Sequence, residues 1–195
     1  MMTSVAIIGA GMAGLTLASY LSKDYSVTLF EKSAAPGGRM ASRDGSGVTF
    51  DHGAQFFTAR SPQFRDFLTE LIEAGVVADW HADFVEMQDG HITARRRWTE
   101  EFPHYVGVPH MAAIGHYLAQ GLNIQYQTRI SQPNAQDKAW VLSDDPGRAF
   151  GPFDRVIVTL PSVQSAQLLP AAFSHHAAIS QIPMKPCYAL MLNLK

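Results

Sequence analysis

The glycine-rich stretch GAGMAG, residues 9–14, constrains the fold of this chain more than any other feature of its sequence. Ser4–Ile8, just before it, is apolar and β-branched, which predicts a buried strand. Met12–Lys23 carries apolar residues at helical spacing, and Ser26–Phe30 predicts a second strand that ends at Glu31. This β-α-β order within about thirty residues is typical of a right-handed parallel crossover. The sequence therefore predicts an α/β protein with a parallel sheet.

The three glycines of this G-x-G-x-x-G pattern have separate roles if the stretch binds a dinucleotide. Gly9 allows a tight turn, Gly11 lets the backbone approach a pyrophosphate, and Gly14 lets helix and strand pack closely. The helix N-terminus offers N–H donors to the phosphates. Glu31 can accept from a ribose 2′-hydroxyl and disfavours a 2′-phosphate, a role whose loss should affect folding little. The alternative is a glycine turn in an ordinary α/β protein.

The stretch Gly37–Met40, soon after Glu31, favours FAD over a nicotinamide cofactor. Two adjacent glycines let the main chain run beside an extended cofactor. Arg39 can then reach the cofactor phosphates as a bidentate donor in a partly desolvated place. The alternative is a solvated loop arginine.

Composition excludes several classes of protein. Of 195 residues, 47% are hydrophobic and 16% are charged, which excludes a disordered or fibrous chain. The formal net charge of −2 gives no basis for binding nucleic acid or an anionic membrane. Cys187 is the single cysteine, so no internal disulfide forms, and its apolar neighbours predict a buried thiol in a cytoplasmic protein. The eight histidines show no metal-binding spacing, so no metal is expected.

The uncharged, apolar stretch Val5–Leu21 resembles a membrane segment. A secretory signal needs a positive region before the apolar one, and the first basic residue here is Lys23. Three glycines also interrupt the stretch, so we expect a strand and a helix and no membrane partner.

The rest of the chain predicts an α+β mixture. A helix begins at Ser61-Pro62 and ends at Gly75, and a hairpin turns at Asp89-Gly90. The other predicted elements are a helix at Pro109–Gln120, strands at Leu122–Ile130, Ala139–Leu142, Arg155–Leu160 and Cys187–Leu194, and a short helix from Pro161, with Asp145-Pro146-Gly147 joining the second and third of these strands. Because the chain ends within a predicted strand, we expect it to be the N-terminal part of a larger protein.

Three sequences, VAIIGAGMAGL, LFEKSAAPGGRMAS and FDHGAQFFTAR, together resemble the flavin-containing amine-oxidase superfamily. The narrower motif DHGAQFFT, residues 51–58, is most similar to the bacterial renalases, and the likeness continues through Val106–Met111 and Arg155–Pro161. The resemblance implies a Rossmann-like FAD-binding domain with an inserted α+β substrate domain. We expect residues 1–60 and 121–165 to bind noncovalent FAD, and 61–120 and 166–195 to begin the substrate region. Such proteins continue well past residue 195, and their C-terminal part returns to the flavin.

The motifs also give the expected site residues. Cofactor contacts are expected at Gly9, Gly11, Met12, Ala13, Gly14, Glu31, Lys32, Gly38, Arg39, Met40, Gln55, Phe56 and Ile130. The contacts at Met12, Ala13, Gln55 and Phe56 are implied by the resemblance. It also implies that backbone atoms of Ile130, at the end of a predicted strand, hold the adenine edge. Substrate contacts are expected at Phe56, Phe57, Thr58, Arg60, Arg95 and Arg97.

A dinucleotide substrate needs a second cationic site for its phosphates. Arg95 and Arg97 share one face of a predicted strand and can clamp a pyrophosphate, with Trp98 on the other face. A solvated edge strand, charged against aggregation, is the alternative. Of the neighbouring Phe56 and Phe57, one ring must point inward whichever face is buried.

The resemblance implies oxidation of dihydronicotinamide isomers of NAD(P)H, with the hydride passing to flavin and dioxygen reoxidising it to give hydrogen peroxide. Aromatisation of the substrate drives hydride loss, so no catalytic base is needed and no catalytic side chain is expected. His52 lies in the narrow motif and is a candidate base. The favoured alternative is a histidine that helps to order the turn. Two other functions stay open: a flavin amine oxidase or desaturase, and a flavin-binding module without catalysis. The oligomeric state is left open.

Overall fold

The computed structural model describes residues 2–98, 101 and 103–193 of the chain. Its helices and strands, in chain order, are β1 (Ser4–Ile8), α1 (Met12–Leu21), β2 (Ser26–Phe30), β3 (Arg43–Gly45), β4 (Val48–Phe50), β5 (Phe57–Thr58), α2 (Pro62–Glu73), β6 (Val77–Asp79), β7 (Asp83–Gln88), β8 (His91–Arg97), β9 (His104–Gly107), α3 (Ala112–Leu118), β10 (Ile124–Gln125), β11 (Ile130–Gln136), β12 (Ala139–Asp144), β13 (Ala149–Phe153), β14 (Arg155–Val158), α4 (Ser162–Leu168) and α5 (His176–Ser180). A short 3-10 helix spans Gly38–Met40.

Two compact units divide the chain. The first unit comprises the residues up to Arg39 together with Gly115–Leu190, and the second is built mainly from Met40–Ile114. These limits differ from the predicted boundaries at residues 60 and 120. The segment after residue 40 joins the second unit because β5 pairs with β9 there. Residues 166–190 likewise pack with the first unit instead of beginning another one.

The centre of the first unit is a parallel sheet with the strand order β10-β2-β1-β14. Successive side chains of β1 point to opposite faces of this sheet. Val5 and Ile7 pack with Leu15 of α1 in one apolar cluster. Ala6 and Ile8 lie in a second cluster on the other face. Both faces of β1 are therefore covered, which confirms the fully buried strand predicted from its uninterrupted apolar sequence.

The second apolar cluster is closed by an antiparallel sheet with the order β11-β12-β13. The strands of this region differ from two predictions. The predicted strand Leu122–Ile130 is interrupted, because Gln127 adopts a left-handed conformation with φ of 50°. The strand predicted at Ala139–Leu142 leads into β13 before β14, since Asp144 accepts from the backbone N–H (2.7 Å) and Nε (2.6 Å) of Arg148 and so holds a hairpin turn.

The C-terminal stretch differs from its prediction. The described part of the predicted strand Cys187–Leu194 contains no strand, and Leu194 lies outside the described residues. Cys187 is exposed, not buried, and Tyr188 keeps 95% of its surface exposed. An apolar sequence becomes a strand only where a neighbouring strand accepts its backbone hydrogen bonds.

Most predicted helix and turn signals are confirmed. The Ser61 side chain caps α2 by accepting from the N–H of Phe64 at 3.2 Å, and Pro62 occupies the first turn. The β7–β8 hairpin turns at Asp89 and Gly90, whose φ angles are 50° and 77°. The helix predicted at Pro109–Gln120 is shorter, spanning Ala112–Leu118. Among the helices in the part of the chain that the structure describes, none is long and apolar enough to cross a membrane.

Asp154 ties the start of β1 to the start of β14. Its carboxylate accepts from the backbone N–H and the hydroxyl of Ser4, each at 2.7 Å, and these bonds hold the pKa of Asp154 below its ordinary value of 3.8. A lowered pKa in the folded protein means that this stabilisation is present above pH about 4 and is lost as the pH falls through the folded pKa. We expect Asp154→Asn to lower the melting temperature at pH 7, and the difference from wild type to shrink by pH 3.

Thermal melts at the two pH values measure this difference. Asp24→Asn, at an exposed position after α1, is the control and should leave both melts unchanged. An Asp154→Asn deficit that is equal at pH 7 and pH 3 would contradict the assigned role of the Asp154 charge.

Candidate functional site

The GAGMAG loop lies at the carboxyl ends of β1 and β2 in the first unit. The N–H of Gly9 donates to the carbonyl of Phe30 at 2.9 Å, which anchors the loop to the end of β2. Gly9 has a φ of 106°, a conformation that side-chain-bearing residues rarely adopt. Gly11 is extended and immediately precedes α1, so the first-turn N–H groups of α1 follow directly on the loop. This is the geometry in which a helix N-terminus binds phosphate.

Two glycines of the loop, Gly11 and Gly14, have different surroundings. A Cβ at Gly14 would stand 2.0 Å from the carbonyl oxygen of Gly9, so only glycine fits there without a backbone shift. At Gly11, by contrast, no heavy atom of the described residues lies within 4 Å of the Cβ position. Gly14 therefore serves the packing of helix on strand, and Gly11 leaves open space beside the loop for a ligand.

Glu31 is buried at the end of β2, with 6% of its surface exposed. Its Oε2 accepts from the N–H of Ala10 at 2.9 Å, and its Oε1 accepts from the N–H of Ser33 at 2.8 Å. The carboxylate thus joins the glycine loop to the segment after β2. A carboxylate has about four acceptor positions, so sites for ribose hydroxyls remain. This geometry argues against the expectation that loss of Glu31 affects folding little, because the carboxylate accepts from the N–H of Ala10, a fully buried residue.

Gly37 and Gly38 lie directly against the GAGMAG loop. The N–H of Gly37 donates to the carbonyl of Ala10 at 2.8 Å, and Gly37 forms an isolated parallel bridge with Gly11. Gly38 has a φ of 56°, and a Cβ there would stand 3.2 Å from the Cα of Gly11. Gly115 of α3 packs on the other side, where a Cβ would stand 2.7 Å from the Cα of Gly37. Three backbone segments therefore meet without intervening side chains.

The remaining predicted contacts of the first unit occupy different environments. Met12 is half-buried and Ala13 exposed in the first turn of α1, while Lys32 and Arg39 are exposed on the segment after β2. Arg39 is thus not desolvated by the protein itself. Ile130 is buried with Phe30. It is the first residue of β11, whereas the sequence predicted it as the last residue of a strand.

Tyr126 is a residue of this region that the sequence analysis missed. It follows β10, whose Gln125 carbonyl accepts the N–H of Glu31 at 2.9 Å, and the N–H of Thr128 donates to the carbonyl of Glu31 at 2.9 Å. Burial and the negative charge of Glu31 raise the pKa of Tyr126 above its ordinary value. Tyr126 as a whole residue is 37% exposed. A tyrosine at the end of a two-residue strand has no sequence signal of its own.

The DHGAQFFT motif belongs to the second unit, and its Asp51 holds the start of α3. Asp51 Oδ1 accepts from the hydroxyl of Ser42 at 2.6 Å and from the N–H of Met111 at 3.0 Å. The Ser42 hydroxyl in turn accepts from the N–H of Ala112 at 3.0 Å. Asp51 and Ser42 are therefore capping residues in this structure. Nδ1 of His52 is buried and has no hydrogen-bond partner among the described residues.

Phe56 and Phe57 point to different neighbours. Phe56 is 40% exposed and contacts the rings of Trp80 (5.8 Å between centroids), Trp98 (4.9 Å) and His104 (5.3 Å). We call these four side chains the aromatic cluster; within it Trp98 and His104 stack at 3.8 Å. Phe57 is half-buried against Phe64 of α2 at 6.0 Å, which makes it a packing residue.

The other predicted residues of this unit differ in exposure, and their roles stay predictions. Met40 is buried, and the exposed ones are Gln55, Thr58 and Arg60.

The arginine run of β8 is engaged by its own hairpin. Arg97 donates from two nitrogens to the two carboxylate oxygens of Asp83, at 2.8 and 2.9 Å. The hydrogen bond from Arg97 lowers the pKa of Asp83. Arg96 pairs with Glu86 at 2.6 Å. Because Asp83 already occupies the guanidinium fork, the geometry opposes a pyrophosphate clamp at Arg97, and the role of Arg95 stays a prediction. Within the described residues, no group of three His, Cys, Asp or Glu side chains is arranged to hold a metal ion.

Comparison with known proteins agrees with this geometry. Residues 7–71 match the model of the NAD(P)-binding Rossmann-like domain. The fold is Rossmann-like. Among solved structures, a protein of Exiguobacterium sp. 255-15 assigned as a protoporphyrinogen oxidase superposes with a TM-score of 0.68 at 16% identity, covering 93% of this chain and 64% of that one. A triple mutant of putrescine oxidase with redesigned cofactor binding superposes with a TM-score of 0.64 at 14% identity, covering 90% and 63%.

A curated relative extends the comparison in sequence. Renalase of Mus musculus is 27% identical over 183 residues, which cover 86% of this chain and 49% of the mouse protein. The chain therefore spans about half the length of that relative.

Proposed function

We propose that this chain is the nucleotide-binding part of an FAD-dependent oxidoreductase of the flavin amine-oxidase superfamily. The observation that carries this proposal is the open space beside Gly11, on a loop whose neighbouring peptides are held by Glu31 and Gly37. A pyrophosphate fits such a place, because it needs close backbone approach and N–H donors already in position. The Gly37-Gly38 segment lying on the loop favours an extended cofactor such as FAD.

The finer proposal is a renalase-like reaction. The substrates are dihydronicotinamide isomers of NAD(P)H, from which a hydride leaves ring position 2 or 6 to give NAD(P)⁺. FAD, when bound, would supply a two-electron acceptor for this hydride, and dioxygen with two protons would reoxidise it to give hydrogen peroxide. The mouse renalase likeness and the DHGAQFFT motif support this choice. We expect the reaction in the cytoplasm, without nucleic-acid or membrane partners.

The residues of the chain bind and orient in this proposal. Glu31 would accept hydrogen bonds from the ribose hydroxyls of FAD, and Arg39 would reach its phosphates from the segment after Gly38. The first turn of α1 would offer its N–H groups. His52, with its buried and unpartnered Nδ1, is able to donate to or accept from a ligand atom. Because hydride transfer from a dihydropyridine needs no proton removal, none of these residues is required to act as a base.

A flavin amine oxidase is the second candidate. The aromatic cluster favours it, because an amine substrate is bound well by aromatic faces, and the putrescine oxidase likeness adds to this. Under anaerobic conditions, we expect isomers of NAD(P)H reduced at ring position 2 or 6 to bleach the flavin of the full-length protein. Bleaching by amines alone would establish the second candidate. Bleaching by neither would favour a flavin-binding module without catalysis.

We expect FAD to be bound noncovalently. No recognisable flavin-attachment motif contains a cysteine or histidine in this sequence. Acid precipitation of the full-length protein should therefore release the yellow colour into the supernatant. Colour retained in the pellet would contradict this expectation.

Arg39 distinguishes an FAD site from a simple glycine turn. Arginine presents a fork of donors to a phosphate, whereas lysine keeps only the charge. We expect Arg39→Ala to weaken FAD binding about tenfold or more, the effect of one lost charge-assisted hydrogen bond. Arg39→Lys should lose a measurable part of that affinity. Flavin fluorescence titration of the full-length protein measures both.

The control variant for Arg39→Ala also removes one positive charge, but at a position away from the loop. Lys23 is exposed just after the C-terminal end of α1, whereas the loop precedes the N-terminal end of that helix. Lys23→Ala should bind FAD as wild type does. Wild-type affinity in Arg39→Ala would remove Arg39 from the site.

A further inference from the structure

The peptide between Gly9 and Ala10 is held by a side chain at each end. Its N–H, that of Ala10, donates to Glu31 Oε2 at 2.9 Å. Its carbonyl, that of Gly9, accepts from the hydroxyl of Thr159 at 2.9 Å. The next carbonyl, that of Ala10, accepts from the N–H of Gly37 at 2.8 Å. Two successive peptide planes that lead into Gly11 are therefore fixed by the protein itself.

Thr159 directly follows β14 and has two acceptors within reach of its hydroxyl. These are the carbonyls of Ile8 at 3.0 Å and of Gly9 at 2.9 Å. The carbonyl of Ile8 already accepts the backbone N–H of Thr159 at 3.0 Å. A hydroxyl has a single proton to donate, so the Gly9 carbonyl is the acceptor that gains most from it.

The space for this hydroxyl depends on Gly14. A Cβ at Gly14 would stand 2.9 Å from Thr159 Oγ1, as well as 2.0 Å from the Gly9 carbonyl oxygen. The absent side chain at Gly14 thus accommodates the loop carbonyl together with the hydroxyl that binds it.

We infer that Thr159 is a positioning residue for the dinucleotide loop, and this inference rests on the proposed nucleotide-binding role. Its hydroxyl orients the Gly9–Ala10 peptide before the ligand arrives, so the following N–H groups already face the phosphates. Ordering a flexible segment opposes binding, and a loop that is ordered beforehand avoids that loss. Thr159 touches no ligand in this role; it acts through Gly9.

Three substitutions separate the hydroxyl from the shape of the side chain. Thr159→Val keeps the β-branched shape and removes the donor, Thr159→Ser keeps the donor, and Thr159→Ala removes the donor without adding volume. We expect Thr159→Val and Thr159→Ala to weaken binding about three- to tenfold, the effect of one neutral hydrogen bond. Thr159→Ser should bind within about twofold of wild type, since it retains the same hydrogen bond.

The measurement is the dissociation constant of FAD and, separately, of ADP for the full-length protein, well below its melting temperature. ADP carries the adenosine and pyrophosphate alone, so a loop effect should weaken both ligands by the same factor. A merely structural role would lower the melting temperature without this equal loss and without rescue by serine. Thr28→Val, on β2 where the hydroxyl accepts from Asn123 at 3.0 Å, is the control and should bind both ligands normally.

The outcomes separate the inference from the proposed function. Wild-type affinity of the valine and alanine variants for both ligands would overturn the role of Thr159 and leave the FAD proposal intact. If the wild-type protein binds ADP but does not bind FAD, the flavin proposal is overturned. The ADP affinities of the Thr159 variants would then still decide the role of Thr159. Failure of the wild type to bind either ligand would overturn both.

Discussion

Glu31→Ala is expected to lower both the stability of the protein and its affinity for FAD. The substitution leaves the N–H of Ala10, a fully buried residue, without its acceptor and also removes the acceptor of the Ser33 N–H. An unsatisfied buried donor costs about 1–3 kcal/mol, and the more exposed Ser33 adds less. The lost hydrogen bond to the ribose should weaken FAD binding about tenfold or more. Chemical denaturation of the ligand-free protein and FAD titration measure the two effects separately.

Glu31→Gln is the matched variant, because it preserves the volume of the side chain. Its amide oxygen can replace one carboxylate oxygen as an acceptor, while its NH₂ group faces the other backbone N–H. We therefore expect the stability of Glu31→Gln to lie between the stabilities of wild type and Glu31→Ala. An unchanged midpoint of unfolding in Glu31→Ala would show that the two hydrogen bonds do not hold the loop.

Alanine at Gly14 and alanine at Gly11 are expected to fail in opposite ways. At Gly14 the added methyl group would meet the Gly9 carbonyl oxygen at 2.0 Å, so the backbone must shift. Overpacking of this kind costs about 1–3 kcal/mol and occasionally more. Gly14→Ala should therefore unfold at lower denaturant concentration than wild type.

Gly11→Ala should keep wild-type stability and lose FAD affinity. Gly11 has an extended backbone with φ of −79°, which alanine adopts without strain, and no described atom lies within 4 Å of the new methyl group. That methyl group would occupy the space proposed for the pyrophosphate, and we expect FAD binding to weaken on the order of tenfold or more. Wild-type FAD affinity in Gly11→Ala would place the cofactor elsewhere.

The local elements of the first unit follow from local sequence signals. The uninterrupted apolar run of Ser4–Ile8, the glycines of residues 9–14 and the acidic end of β2 predict the β-α-β unit and its loop, and the structure contains them. The Ser61-Pro62 cap and the Asp89-Gly90 turn were equally readable. In each case the deciding physics acts between residues close in the chain: a backbone angle that only glycine adopts easily, a cap, or a side-chain period.

The contacts that complete the candidate site involve residues far apart in sequence. Thr159 donates to Gly9, which is 150 residues away in the sequence. Gly115 packs against Gly37, and no local sequence pattern predicts that contact. A glycine within a helix can mark a close approach of another backbone, but the sequence does not show that Gly37 is the partner of Gly115.

What the sequence by itself determined was the β-α-β order of β1, α1 and β2 and which residue types form the loop between β1 and α1. Only the tertiary structure decided what those residues do there: that Glu31 holds two backbone N–H groups, that Arg97 is paired with Asp83, and that Cys187 is exposed. The reason is that hydrogen-bond acceptors, ion partners and burial are properties of neighbours in space. A sequence motif specifies a backbone conformation, whereas the role of a side chain depends on which distant segment packs against it.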